Sequence, residues 1–319
     1  FKGQKPPAPA WFDWALAQAP ETSMVHVDGA EIELLAWGER GKPGLLLIHG
    51  NSANAHWWAF IAPYLAKDYR VAAISLSGMG GSDWREHYSF TDFADDAEAV
   101  AQATGLYKGG QKPIYIGHSF GGGQVFFAAV RNPERMHAAI MVDTGFGPPP
   151  EELAKRQAQM EAIRNIPTTD RASRVYPTVE AALLRFRLMP PQPAGNPYIA
   201  DFIARRSLKK VPLPEGEKGS DGSGEGWTWR FDPNMWGKLV REMAMGGDPT
   251  QIPEIKTPMV HIYGAKSRIV EHRKAGAPSP FPPGMIEIEI PEAHHHIMID
   301  QPLALVAAIR ALLAAWPAK

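Results

Sequence analysis

The residues best suited to chemistry are Gly117-His118-Ser119-Phe120-Gly121. A run of β-formers, Pro113-Ile114-Tyr115-Ile116, precedes them, and a stretch that turns helical, Gly121–Arg131, follows. The pattern G-x-S-x-G between a strand and a helix has a mechanical reason. A very tight strand-to-helix turn pushes the serine hydroxyl off the end of the sheet, and only residues without bulk fit on either side of it. Gly117 and Gly121 meet that need, and Gly122 and Gly123 are expected to let the helix lie close to its neighbours. A helix N-terminus beneath the serine favours negative charge developing there. The competing reading is a glycine-rich turn that holds a serine by chance; the strand before and the helix after favour a nucleophile, Ser119. A serine needs a general base to act at neutral pH, and His294-His295-His296 offers three. Adjacent histidines also invite a metal. Neighbours on an extended loop point apart, however, and no acid or histidine is spaced to complete a site, so neither a metal nor a cofactor is expected.

The surrounding pattern supplies the elements that would position these groups. Residues 1–22 read as a proline-rich lead and a short amphipathic arm around Trp11–Leu16. Ser23–Val27 and Ala30–Trp37 flank Asp28-Gly29, a hairpin signal. Leu45–Ile48 is a continuous apolar run, as in a parallel strand covered on both faces, and Arg70–Ile74 reads as another buried strand. A helix rich in aromatics is predicted over Ala55–Ala66, and a second from an N-cap at Thr91 through Ala103. Ala138–Val142 is the next strand, ending at Asp143-Thr144-Gly145. From about Phe146 the β–α alternation stops: helical stretches are predicted at 151–164 and 178–189, then the glycine-rich 216–226, then Trp227, Trp229, Phe231 and Trp236. Alternation resumes at Met259–Gly264 and Ile286–Ile290, with a final helix from about Leu303 to Ala315.

The chain has 319 residues, 45% of them hydrophobic, enough for one large α/β domain with an insertion. A net charge of −1 gives no field to draw it to nucleic acid or an anionic membrane. The absence of cysteine excludes a cysteine nucleophile, disulfides and thiolate zinc sites. No apolar run reaches the length of a membrane span, so a cytoplasmic protein acting on a small molecule is expected. The first residue is Phe1, which leaves room for a removed leader. The oligomeric state is left open.

Taken together, the chain resembles the α/β-hydrolase superfamily over nearly its whole length. The matching residues are His49-Gly50 after the third strand, the Gly78-Met79-Gly80-Gly81-Ser82 loop, the Gly117–Gly121 turn, and a late histidine before Asp300-Gln301-Pro302. The resemblance implies a mostly parallel eight-stranded sheet flanked by helices, with residues 1–146 and 236–319 as the core domain and 147–235 as an inserted helical cap. Chemically it implies a Ser–His–acid triad. His49-Gly50-Asn51 is similar to the haloalkane dehalogenases, but those enzymes use an aspartate where Ser119 stands, so dehalogenation is not expected. Ser119–Gly123 is locally similar to the cofactor-free haloperoxidases and perhydrolases.

The resemblance also assigns roles. Counted back from Pro302, His295 takes the position of the family's base. The oxyanion donors would be the backbone N–H groups of Phe120 and Asn51. The loop after the seventh main strand, where the acid usually sits, has Ser267 in that place. Asp143, at the end of the neighbouring strand, is the expected acid, and Glu271 is its rival. Asp143 could instead merely cap its turn. Trp57, Trp58 and Met79 fit either core packing or a substrate wall, as do Trp227 and Trp229 in the cap; all five are carried as substrate-contact candidates. His118 is expected to pack under the turn. The implied activity is hydrolysis of a carboxylic ester or lactone with an apolar portion. C–C bond hydrolysis or perhydrolysis on the same triad is an alternative, and a ligand receptor with slow turnover is another.

Overall fold

The computed structural model describes residues 3–107, 110–145, 172–213, 219, 222–240, 255–268 and 285–316. Helix α1 (Ala10–Ala17) leads into strands β1 (Glu21–Val27), β2 (Ala30–Trp37), β3 (Gly44–Ile48) and β4 (Arg70–Ile74). Helix α2 (Phe90–Ala103), β5 (Ile114–His118), α3 (Phe120–Arg131) and β6 (Ala138–Val142) follow. A separate pair, β7 (Leu208–Pro212) and β8 (Glu225–Trp229), precedes β9 (Met259–Gly264) and β10 (Ile286–Ile290).

Eight strands form one sheet in the order β1-β2-β4-β3-β5-β6-β9-β10. The β1–β2 and β2–β4 pairs are antiparallel; all the others are parallel. This is the α/β-hydrolase fold, a mostly parallel eight-stranded sheet with flanking helices. The first hairpin turns on Asp28 and Gly29, both with positive φ (44° and 77°), the backbone that a two-residue turn matched to strand twist requires. Every residue of β3, β4, β5 and β6 is buried. Alternate side chains therefore feed two cores. Leu45, Leu47, Ile116 and Ile140 pack with Trp58, Phe60 and the terminal helix Pro302–Ala315. Leu46, Ile48, Tyr115 and Met141 pack with Phe93 of α2 and Val125 and Phe126 of α3.

Several elements depart from the expectation. The predicted helix over Ala55–Ala66 is two short 3₁₀ turns, Ala55–Trp58 and Ala62–Tyr64. Pro63 cannot donate within a continuous helix, and Asn54 caps the first turn by accepting from the His56 N–H. The cap of α2 is Ser89, not Thr91; its side chain accepts from the Asp92 N–H. In the predicted cap, the stretch 178–189 is helical only over Val179–Leu183, and 151–164 lies outside the described residues. The expected cap segment is also not purely helical. Leu208–Pro212 and Glu225–Trp229 carry β-branched and aromatic residues and pair as an antiparallel two-stranded sheet.

The segment returning from the insertion is laced to the core. Phe231 bridges to Met79 and Leu239 to Tyr88. The Gly80 N–H donates to the Arg230 carbonyl and the Asp232 N–H to the Gly78 carbonyl, both at 2.7 Å. The Arg230 guanidinium reaches the buried Glu33 carboxylate at 2.8 Å, which also accepts from the Ser75 hydroxyl and the Gly81 N–H. Among the described residues no helix is long and apolar enough to cross a membrane.

Candidate active site

Parallel strands deliver their carboxyl ends to one edge, and two chemistry-bearing residues leave that edge side by side. The Ser119 N–H donates to the Val142 carbonyl (2.9 Å) and the Asp143 N–H to the Ile262 carbonyl (2.7 Å), so each extends its strand's ladder by one residue. Both then turn sharply with positive φ, 53° at Ser119 and 48° at Asp143. For residues with a side chain such backbone costs about 1–3 kcal/mol, so packing around it must hold it in place. A Cβ on Gly117 would run into the Gly121 carbonyl, and one on Gly121 into the His49 carbonyl, which is why both are glycine. Gly122 is likewise closed off by the Thr144 hydroxyl, but a Cβ on Gly123 would meet nothing within 4 Å. The expected close approach is therefore at Gly122 alone of these two.

The histidine arrives on the loop after β10. His295 Nδ1 lies 2.6 Å from Asp143 Oδ2 and its Nε2 lies 2.9 Å from Ser119 Oγ. Nδ1–H donates to the carboxylate, which leaves the Nε2 lone pair to accept the serine's proton. Asp143 is fully buried and accepts three hydrogen bonds. Gly264 N–H reaches Oδ1 at 2.9 Å, while the Ser267 hydroxyl, at 2.6 Å, shares Oδ2 with His295. The late-loop position where the resemblance would place an acid thus holds a donor aimed at Asp143. Glu271 lies outside the described residues.

The loop that carries His295 is tied down on several sides. His118 Nε2 donates to the His295 carbonyl (3.0 Å) and Lys266 N–H to the Ala293 carbonyl (2.8 Å). The Gln192 side chain accepts from His296 N–H (2.8 Å), and Asp300 accepts from both the His294 N–H and its Nδ1 (2.9 Å each). Sequence reasoning missed Gln192, a residue of the insertion with no periodic signal. It also missed what Ser267 does and how close His118 comes: the His118 ring lies 4.9 Å from that of His295 and 5.4 Å from that of His296. Burial and the neighbouring His295 and His296 hold His118 well below the ordinary imidazole value, and burial brings His296 down to about 3. The sequence argument that no partner completes a histidine cluster therefore fails, because β5 carries His118 to the loop after β10.

The other candidates divide. Phe120 starts α3, so its N–H has no acceptor within the helix. Its ring packs on Phe93 (5.5 Å) and on the exposed Trp236 (5.6 Å). Asn51 is exposed on the loop after β3. Trp57 lies against the histidines, stacked on His118 and edge-on to His296 at 5.5 Å. Trp58 is fully buried in the core, and Met79 is buried with its sulfur accepting from the Ser52 N–H. Trp227 and Trp229 pack in a small cluster of their own with Tyr176, Ala182 and Leu208.

Comparison with known proteins agrees with this architecture. A family model described as alpha/beta hydrolase fold matches residues 43–302. A serine hydrolase-like protein of Dictyostelium discoideum is 28% identical over 265 residues, covering 77% of this chain and 67% of that one. A pimeloyl-[acyl-carrier protein] methyl ester esterase of Edwardsiella ictaluri is 25% identical, covering 84% and 92%. Other curated relatives match over shorter stretches; the chain spans only 40% of the length of a Burkholderia fluoroacetate dehalogenase. Among solved structures, the thioesterase domain from the curacin biosynthetic pathway superposes with a TM-score of 0.69 at 23% identity, covering 92% of this chain and 99% of that one.

Proposed function

Since the chain belongs to the α/β-hydrolase fold family, a family of hydrolases, we propose that it hydrolyses a carboxylic ester or lactone through Ser119, His295 and Asp143. The observation that carries this reading is the unbroken relay Ser119 Oγ–His295 Nε2 (2.9 Å) and His295 Nδ1–Asp143 Oδ2 (2.6 Å). Ser119 Oγ attacks the carbonyl carbon while His295 Nε2 takes its proton. The developing oxyanion is held by the backbone N–H groups of Phe120 and Asn51, preorganised donors of the kind whose loss costs about 10²–10³ in turnover. His295 returns the proton to the departing alcohol, and the same imidazole then takes one from water to release the acid. Asp143 fixes the ring's tautomer and stabilises its cationic form.

The full-length similarity to an ester hydrolase favours an ester over a halide or epoxide, since the similarity to the dehalogenase is confined to part of each chain. A serine where dehalogenases use aspartate points the same way. We further propose that residues 147–235 cap the site and, with the Trp236 face over Phe120, select the apolar portion of the substrate. The test is an organophosphate probe with intact-mass readout, alongside a screen of aryl esters, alkyl esters and lactones. One adduct per chain on Ser119, absent in Ser119→Ala together with the activity, supports the reading. Labelling that persists in Ser119→Ala removes it.

A further inference from the structure

The relay uses one of three clustered histidines and leaves two unexplained. His118 and His296 are 1% and 4% exposed. His118 Nε2 is spent on the His295 carbonyl, so its Nδ1 carries a lone pair, and that atom has no hydrogen-bond partner. Neither ring nitrogen of His296 has one. Buried polar atoms almost always find partners, so three orphan nitrogens in adjacent rings need an explanation. One nitrogen from each of His118, His295 and His296 lies within 4.8 Å of those of the other two.

We propose that these three imidazoles form an inhibitory site for a divalent transition-metal cation of the zinc or copper(II) class. Three nitrogen donors suit such ions and do not suit magnesium or calcium, which take oxygen ligands. A zinc–nitrogen bond is about 2.0–2.1 Å, so nitrogens on one tetrahedral ion stand roughly 3.4 Å apart. Rotation of the His296 ring, with a smaller shift of His118 about its bond to the His295 carbonyl, would have to draw the cluster in by about an ångström. His295 has no spare nitrogen to offer. Its Nδ1 holds Asp143 and its Nε2 accepts from Ser119, so coordination by either atom takes a partner from the relay. The ion and the triad compete for the same lone pairs, and the bound state is inactive. Inhibition rests on the serine hydrolase reading above; binding of the ion does not.

The experiment uses untagged full-length protein and two independent readouts. Cobalt(II) alone is titrated while the visible d–d absorption is recorded, and ester hydrolysis is followed against added zinc(II), copper(II), magnesium and calcium, with EDTA reversal. Stoichiometric cobalt bands, together with reversible inhibition by zinc and copper but not by magnesium or calcium, support the site. His296→Phe keeps the basal rate and raises the zinc concentration for half-inhibition by roughly 100-fold, since loss of even an outer partner of a metal ligand costs about 10–100-fold. If that variant fails to fold, His118→Gln in the cobalt titration takes its place and must lose the bands. Cobalt binding no tighter than at scattered surface histidines overturns the proposal, as does zinc inhibition unchanged in His296→Phe. A protein that binds cobalt stoichiometrically but cleaves no ester refutes the hydrolase reading and not the metal site.

Discussion

Replacing Asp143 by asparagine exposes the logic of the relay, because each of its carboxylate oxygens has a fixed set of donors. Oδ1 accepts from Gly264 N–H, and Oδ2 accepts from Ser267 and His295. An amide has one oxygen. If that oxygen faced His295, the NH₂ would meet the Gly264 N–H, leaving two buried donors opposed at about 1–3 kcal/mol for each unsatisfied group. The amide therefore keeps its oxygen on Gly264 and turns its NH₂ toward Ser267 and His295. The serine hydroxyl can rotate to accept. The imidazole must also accept, so its proton moves to Nε2, the atom that should receive the proton of Ser119. The base is then in the wrong tautomer and lacks a counter-charge, for which about 10⁴-fold in turnover is the measured loss in another triad enzyme, or roughly 5.5 kcal/mol. The assay is kcat/KM on a p-nitrophenyl ester, with circular dichroism and urea melts to show that the fold is kept. A variant within tenfold of wild type would refute the assignment of Asp143, and an inactive Glu271→Gln beside it would move the acid to the late loop.

Other outcomes follow from the same geometry. Ser267→Ala should lower kcat by about 10–100-fold with KM little changed, one hydrogen bond to a charged group being worth about 1.5–3 kcal/mol; steady-state kinetics on the same ester checks it. Ser267→Asp in the Asp143→Asn background should recover part of the lost rate, because the Ser267 hydroxyl already stands 2.6 Å from the oxygen that holds His295; no recovery means that the late loop cannot serve the histidine. Gly123→Ala should be neutral or stabilising by up to about 1 kcal/mol, as expected for removing glycine from a helix with open space around it, whereas Gly122→Ala should destabilise strongly against Thr144; thermal melts separate the two. Burial brings His49 down to about 4. Its neutral form is the folded one, so above pH 6.5 it costs nothing. As pH falls from 6.5 toward 4, the unfolded chain takes up a proton that the fold refuses, and stability drops by about 1.4 kcal/mol per pH unit. Urea midpoints at pH 7.5, 6 and 5 should fall at least this steeply, since burial also holds His56, His118 and His296 below the ordinary value, and His49→Gln should lessen the slope by one proton.

The parts of the fold legible in the sequence were those fixed by local pattern. Leu45–Ile48, Arg70–Ile74 and Ala138–Val142 read as buried strands because nothing polar follows Arg70 or interrupts the other two, and they lie in the sheet as expected. The spacing of Gly117, Ser119 and Gly121 foretold a strand-to-helix turn, and the turn is there with the backbone that it needs. The aromatic pattern of Ala55–Ala66 suggests one helix, but Pro63 breaks the segment into two 3₁₀ turns. The strand that holds Trp227 and Trp229 is hidden in the sequence because its hairpin partner lies across the glycine stretch, at Leu208–Pro212. The histidine cluster and the Ser267–Asp143 bond were illegible for a different reason: their members are 177 and 124 residues apart, and only the sheet order brings them together.

The Glu33–Arg230 contact sets a rule for anyone who would exchange the insertion as a cassette to obtain new specificities. The acid belongs to β2 and its counter-ion to the returning chain, 197 residues later, so a graft that runs past Arg230 takes the two ends of one ion pair from different parents. A foreign insert without a cation there would leave a buried carboxylate unanswered, a defect of about 3–5 kcal/mol that would present as poor expression and be blamed on the new segment. The splice point that keeps both ends in one parent lies before Arg230, ahead of the backbone exchanges of Arg230 and Asp232 with the Gly78–Gly80 loop and the Leu239 bridge to Tyr88. A donor insert is then chosen for its pocket, while the host keeps its own return arm.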